Sequence, residues 1–91
     1  LRTLKVTEVF GMPVYTDEGN YYGDVEESII SGNKVNGWRI RATKHSRLAR
    51  VLSGAKGSVV PHNFVKAIGD IMIISKNALP EEGEEAVAEE F

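Results

Sequence analysis

Residues 9–25 read Val-Phe-Gly-Met-Pro-Val-Tyr-Thr-Asp-Glu-Gly-Asn-Tyr-Tyr-Gly-Asp-Val, and this stretch decides the fold. Residues 12–16 form a short apolar segment typical of a strand, and residues 21–30 resume as a second one. The sequence between them, Asp-Glu-Gly-Asn, is typical of a tight turn, with Gly19 where a positive φ is expected. The stretch therefore predicts a β-hairpin.

A glycine within the second strand predicts that the sheet is curved. Gly23 stands where a side chain would normally pack, which is typical of a bulge or a sharp bend. Small closed barrels need such bends, so we expect a curled sheet rather than a flat one.

A third strand is predicted from alternation over residues 35–42. Trp38 and Ile40 fall on one face, which we expect to be buried, and we interpret Trp38 as a residue of the core or of a dimer interface rather than a binding platform. Arg39 and Arg41 fall on the other face and should meet solvent or a partner. Short helical turns are predicted at residues 7–11, 43–53 and 61–68, and further strands at residues 58–60 and 71–75.

The opening and closing motifs together resemble the PRC-barrel domain. The opening motif is Phe10-Gly11-Met12-Pro13-Val14 followed by Asp17, Gly19, Gly23, Asp24 and Val25, and the closing motif is Val60-Pro61, Phe64-Val65, Ile68-Gly69-Asp70 and residues 71–74. The resemblance covers about residues 5–76 and implies a mostly β fold, a small PRC-type β-barrel with short helical turns.

The resemblance also implies a class of function. The family is named from the photosynthetic reaction-centre H subunit and includes the carboxy-terminal half of a ribosome-maturation factor. Stand-alone copies of this length look most like the archaeal branch, in which some relatives are linked to cell division. The resemblance thus implies a non-catalytic adaptor for protein interactions in an assembly, either a cell-division complex or a maturing ribosomal particle.

Length and composition narrow the class of protein. A chain of 91 residues suits one small domain with a limited core, and we expect it to form a homodimer. Cysteine is absent, which excludes disulfides, thiolate metal sites and cysteine nucleophiles. The longest strictly apolar run, residues 71–74, is far shorter than the roughly 20 residues of a membrane-spanning helix. We expect a soluble, cytoplasmic protein.

The net charge of −2 hides a strong segregation of charge along the chain. Between Ser28 and Gly69 there are eight basic residues and no acidic ones, whereas the rest of the chain carries 13 acidic residues and three basic ones. An acidic partner would meet the basic region rather than the average charge. We predict a partner-binding site in this region at Arg39, Arg41, Lys44, Arg47 and Arg50.

Three interpretations of the basic region remain open. The charges could be solvated and balance an acidic tail, bind an acidic protein, or bind RNA, with the RNA-associated accessory role as the alternative function. The histidines, His45 and His62, lack metal-ligand or acid–base spacing, so no catalytic residue, metal or cofactor is predicted.

The sequence beyond Lys76 is acidic and interrupted by glycine and proline. Such a segment buries too little apolar surface to offset its ordering entropy. We predict a PRC-barrel-like domain over residues 1–76 and a flexible acidic tail over residues 77–91, which could compete for the basic region.

Overall fold

The computed structural model describes residues 3–46 and 57–78. These residues form a short helix, six strands and two 3-10 helices. The elements are α1 (Val6–Val9), β1 (Pro13–Thr16), β2 (Tyr21–Ser31), β3 (Lys34–Arg41), β4 (Gly57–Pro61), a 3-10 helix (His62–Phe64), β5 (Val65–Ile68), β6 (Met72–Ile74) and a second 3-10 helix (Lys76–Ala78).

The strands form one curled sheet in the order β4-β3-β2-β1-β6-β5. Neighbouring strands are antiparallel, except that β1 and β6 are parallel. The two outer strands, β4 and β5, are consecutive in the chain and are joined only by the 3-10 helix His62–Phe64. Because so short a link spans at most about 14 Å, the sheet must curl until its two sides approach each other. The prediction of a mostly β, barrel-like fold is confirmed.

The inner face of the curled sheet forms the core. Trp38 and Ile40 are buried there, as the alternation in β3 predicts. The Tyr22 ring is fully buried, and its hydroxyl group shares a hydrogen bond of 3.0 Å with the Ser58 hydroxyl group. Burial raises the pKa of Tyr22. The core comprises Val9, Val14, Tyr22, Val25, Trp38, Ile40, Val60, Met72 and Ile74.

The predicted irregularity at Gly23 is present and has a steric cause. The register between β1 and β2 shifts beside this residue, since Val14 pairs with Gly23 and Tyr15 pairs with Tyr21. A Cβ atom at position 23 would lie 2.6 Å from the backbone oxygen of Arg41 on β3. Only glycine therefore allows β3 to approach β2 so closely at this point.

One of the predicted helical turns differs in the structure, and a second is mostly untested. Residues 61–68 were expected to form one helical turn, but this expectation is wrong, because only His62–Phe64 is helical and Val65–Ile68 is strand β5. Pairing with β6 outweighs the helical spacing of the apolar side chains. The helix predicted over residues 43–53 lies mostly outside the described residues. Its first part is a turn in which the Ser46 hydroxyl group accepts a hydrogen bond from the Thr43 backbone N–H.

The second 3-10 helix reaches into the predicted tail. Residues 77 and 78, which the sequence analysis assigns to the tail, belong to the second 3-10 helix. Ala78 packs against the core, and its N–H donates a hydrogen bond to the carbonyl oxygen of Ser75. The tail beyond Ala78 lies outside the described residues, so its flexibility stays a prediction.

Candidate interaction surface

Strand pairing places acidic residues beside the basic residues of β3. Asp24 of β2 pairs with Arg41, and Glu27 pairs with Arg39. Side chains of directly opposed residues lie on the same face of a sheet. The region that contains no acid in the sequence is therefore partly neutralised in the fold.

Arg39 is engaged by two neighbouring glutamates of β2. Its Nε atom lies 3.6 Å from Oε1 of Glu27 and 4.0 Å from Oε1 of Glu26. The bulge between Val25 and Glu27 explains how one guanidinium contacts two consecutive residues. The Arg39 side chain is only 28% exposed, and its buried Nε has no hydrogen-bond partner among the described residues. Arg39 is therefore less accessible to a partner than an exposed arginine, and its positive charge is partly neutralised by Glu26 and Glu27.

Arg41 is more accessible, and its acidic partner is held by a tyrosine. Its Nη2 atom lies 3.6 Å from Oδ2 of Asp24, and the arginine side chain is 53% exposed. The Tyr21 hydroxyl group donates a hydrogen bond of 2.7 Å to Oδ1 of Asp24 and lies 2.9 Å from the Thr43 hydroxyl group. Burial, together with the hydrogen bond to Asp24, raises the pKa of Tyr21. The carboxylate of Asp24 is thus fixed beside Arg41.

A pair of aromatic rings lies next to this network. The centroids of Tyr15 and Tyr21 are 5.5 Å apart, and their planes are tilted by 49°. Both rings lie on the outer face of the barrel and are partly exposed. We call Tyr15, Tyr21 and Arg41 the tyrosine–arginine face. The sequence analysis did not single out the two tyrosines. Strand periodicity could have placed Tyr15 on the outer face, because its neighbours Val14 and Thr16 point to the buried face.

Comparison with known proteins identifies the family. The chain matches the family model of the PRC-barrel domain over residues 2–78. The chain belongs to the PRC-barrel family. Its fold is similar to the crystal structure of a putative 16S ribosomal RNA processing protein, RimM, from Pseudomonas aeruginosa, with a TM-score of 0.63 and 12% sequence identity. The match covers 82% of this chain but only 44% of the RimM chain, so it shows the fold alone. No curated protein gave a match.

Within this PRC barrel, the predicted binding residues have different surroundings. Arg41 and Lys44 are exposed, and Arg39 is partly covered by its glutamates. Arg47 and Arg50 lie outside the described residues, so nothing tests their grouping with the others. The five residues remain a prediction as a set.

The tryptophan side chain does not form part of this outer face. Trp38 is buried, and its Nε1–H donates a hydrogen bond of 3.0 Å to Nδ1 of His62. A buried indole ring cannot stack on a nucleic-acid base, which agrees with the interpretation of Trp38 as a core residue. His45 is exposed. Within residues 3–46 and 57–78, no group of three or more histidine, cysteine or acidic side chains is arranged to hold a metal ion.

A separate ionic cluster fastens the first hairpin to the other side of the barrel. Asp17 pairs with Lys66 at 2.9 Å, and its carboxylate also accepts a hydrogen bond from the backbone N–H of Lys76. The hydrogen bond from Lys66 is the main cause that lowers the pKa of Asp17. Glu18 lies 3.5 Å from the Lys76 ammonium group. This cluster joins the turn of the first hairpin to β5 and to the segment that follows β6, and we assign it a structural role.

In the described part of the chain, no helix is long and apolar enough to cross a membrane.

Proposed function

We propose that this PRC-barrel domain is a non-catalytic, cytoplasmic adaptor that binds an acidic protein segment on its tyrosine–arginine face. We further propose that it acts as a homodimer within an assembly, either a cell-division complex or a maturing ribosomal particle. The observation that carries the proposal is the half-exposed Arg41 guanidinium beside the Tyr15–Tyr21 pair.

Arg41 retains the capacity to bind a second carboxylate. Its distance of 3.6 Å from Asp24 exceeds the usual range of N–H···O hydrogen bonds, so the ion pair does not use the guanidinium donors in a close bond. A guanidinium has five N–H donors in a geometry that matches a carboxylate in two parallel bonds. An incoming aspartate or glutamate can therefore form a close, bidentate contact with Arg41.

The tyrosine pair supplies apolar contact area next to this charge. Tyrosine and arginine are enriched among the residues that dominate binding energy at protein interfaces. Tyr21 is held by its hydrogen bond to Asp24, so little conformational entropy is lost when a partner covers it. Lys44 lies close in the chain to Arg41 and adds positive charge that steers an acidic partner toward this face.

RNA binding is the second candidate, and the two tyrosines give it specific support. Aromatic side chains next to arginine are the combination that stacks and neutralises single-stranded RNA. However, the two rings are tilted relative to each other by 49°, so they do not present one flat platform for stacked bases. Trp38 is buried and adds no further stacking surface. These features favour an acidic protein segment over RNA.

A capture experiment in an extract of the source organism tests the proposed function. The wild-type domain, the Arg41→Ala variant and the double variant Tyr15→Ala/Tyr21→Ala are immobilised, each with and without nuclease. Lys5→Ala serves as the matched control, because Lys5 is an exposed basic residue outside the proposed face. We expect proteins that resist nuclease, are retained by the wild type and the control, and are lost from both face variants.

The same capture experiment separates the two candidates. Loss of all partners after nuclease treatment, together with a steep decrease of affinity with salt, would instead support RNA binding. Equal capture by all variants would refute a role of the tyrosine–arginine face.

A further inference from the structure

The hairpin of β2 and β3 extends beyond the described strands that flank it. On one side, β1 and its preceding loop bond to β2 only as far as Val25. On the other side, β4 pairs with β3 only from Gly37 onward. Residues 30–36 therefore form a two-stranded arm. Its loop, Gly32-Asn33, has positive φ values of 60° and 69°, which are typical of a tight type I′ turn.

Among residues 3–46 and 57–78, no strand pairs with one edge of this hairpin. On the side facing away from β3, residues 26–31 have no hydrogen-bonded neighbour among the described residues. An unpaired strand edge presents N–H and C=O groups that can bind another strand. We call residues 26–31 the free edge.

Apolar side chains lie at both ends of the free edge. Ile30, near the tip, is 60% exposed. Phe10, near the base, is 41% exposed. It occupies the corner of a type II turn formed with Gly11, whose N–H donates a hydrogen bond of 2.8 Å to the Val25 carbonyl oxygen. The exposed phenyl ring is thereby placed where β2 leaves the barrel.

Charge is distributed unequally along the same edge. At the base, Glu26 and Glu27 share a single guanidinium, that of Arg39, which leaves one negative charge unbalanced. At the tip, Lys34 is exposed and has no ion-pair partner among the described residues. The base of the free edge is therefore negative and the tip is positive.

We propose that the free edge pairs antiparallel with the free edge of a second copy of this chain, about a twofold axis near Ser28. This arrangement places Ile30 of each copy beside Phe10 of the other, and Lys34 of each copy near the paired glutamates of the other. The contact is isologous, so it closes as a dimer and does not propagate. It rests on the homodimer in the proposed function, and it does not depend on the tyrosine–arginine face.

The distribution of charge along the free edge favours a second copy of this chain in antiparallel orientation. An antiparallel copy brings the positive tip against the negative base at both ends, whereas a parallel copy would bring like charges together. A strand from an unrelated protein would satisfy the backbone groups but would not account for the matched charges and apolar residues. The paired segment is short and buries less than the roughly 800 Å² per partner of a standard interface. The dimer therefore dissociates on dilution.

Sedimentation velocity measures the association. Wild-type protein is measured from about 1 µM to about 1 mM, the affinity range of small interfaces. We expect its mass to rise from one chain to two. We expect the Ile30→Glu variant to dissociate about tenfold or more readily with an unchanged melting temperature, because it removes the apolar contact and places a glutamate opposite the negative base of the other copy. Val6→Glu is the matched control, because Val6 is an exposed apolar residue that is not on the free edge. A wild type that stays monomeric, or equal dimerisation of wild type and Ile30→Glu, overturns the proposal.

Charge reversal tests the antiparallel orientation. Lys34→Glu and Glu26→Lys should each weaken the dimer about two- to fivefold, as expected for exposed ion pairs, and the double variant should recover most of the affinity. A double variant weaker than either single variant overturns the antiparallel orientation.

A further comparison separates dimerisation from partner binding. Arg41→Ala should dimerise like the wild type, and Ile30→Glu should still capture the acidic partner in the extract. If the protein does not dimerise but still captures the partner, the free-edge proposal is wrong. If it dimerises but captures no partner, the proposed function of the tyrosine–arginine face is wrong.

Discussion

Replacing Gly23 by alanine tests the steric reason for the bend in β2. The added Cβ would lie 2.6 Å from the Arg41 backbone oxygen and 2.9 Å from Cγ2 of Ile40. The first contact involves backbone, so it can be relieved only if β2 and β3 move apart. Overpacking of this kind costs about 1–3 kcal/mol, and a weakened hydrogen bond of the ladder adds about 1 kcal/mol. We expect the free energy of unfolding to fall by about 3 kcal/mol.

A loss of this size is a large part of the stability of a small domain, which is about 5–14 kcal/mol for a chain of this length. It corresponds to a decrease in melting temperature of roughly 12–24 °C. Circular dichroism during heating and urea unfolding measure both values. Gly19→Ala is the control, because its Cβ meets nothing within 4 Å and only the positive φ opposes it, at about 1–2 kcal/mol. If Gly23→Ala unfolds within about 0.5 kcal/mol of the wild type, the steric explanation is wrong.

The remaining predictions concern single hydrogen bonds and ionisable groups. Tyr22→Phe should destabilise the domain by about 1–3 kcal/mol in chemical unfolding, because the buried Ser58 hydroxyl group loses its partner, and adding Ser58→Ala should recover part of that loss. Folding lowers the pKa of Asp17, so the contribution of its carboxylate to stability is present above its usual pKa of 3.8 and is lost as the pH falls through the lower value. In the Asp17→Asn variant, the free energy of unfolding should therefore decrease less steeply between neutral and acidic pH than in the wild type. Folding raises the pKa of Tyr21, so its contribution is present below its usual pKa of 10.0 and is lost as the pH rises through the higher value. In an ultraviolet titration, Tyr21 should therefore ionise above pH 10.0, and this ionisation should be absent in the Tyr21→Phe variant. Ionisation of Tyr21 at its ordinary pKa of 10.0 would contradict this.

Local features of the sequence determined the first hairpin, the curvature and the inward faces of the strands. Turn composition around Gly19 and the alternation of Trp38 and Ile40 act over a few neighbouring residues, so they can be recognised without knowledge of distant contacts. The same reasoning failed at residues 65–68. The apolar spacing there fits a helical turn as well as a strand, and only pairing with β6 decides between them.

The candidate interaction surface depended more strongly on tertiary structure. Alternation in β3 was enough to place Arg39 and Arg41 on the outer face. Their different accessibility was not predictable, because it follows from the register with β2 and from the bulge that brings two glutamates to Arg39. The meeting of Tyr15 with Tyr21 likewise depends on strand pairing.

The sequence by itself thus determined the family, the curled β architecture and the outward direction of the arginines, because side-chain periodicity and turn chemistry are local properties. The tertiary structure decided which charges are neutralised, which aromatic rings meet and which strand edge has no partner in the described part of the chain. These depend on register between distant segments, and a shift of one residue would move every side chain of a strand to the opposite face.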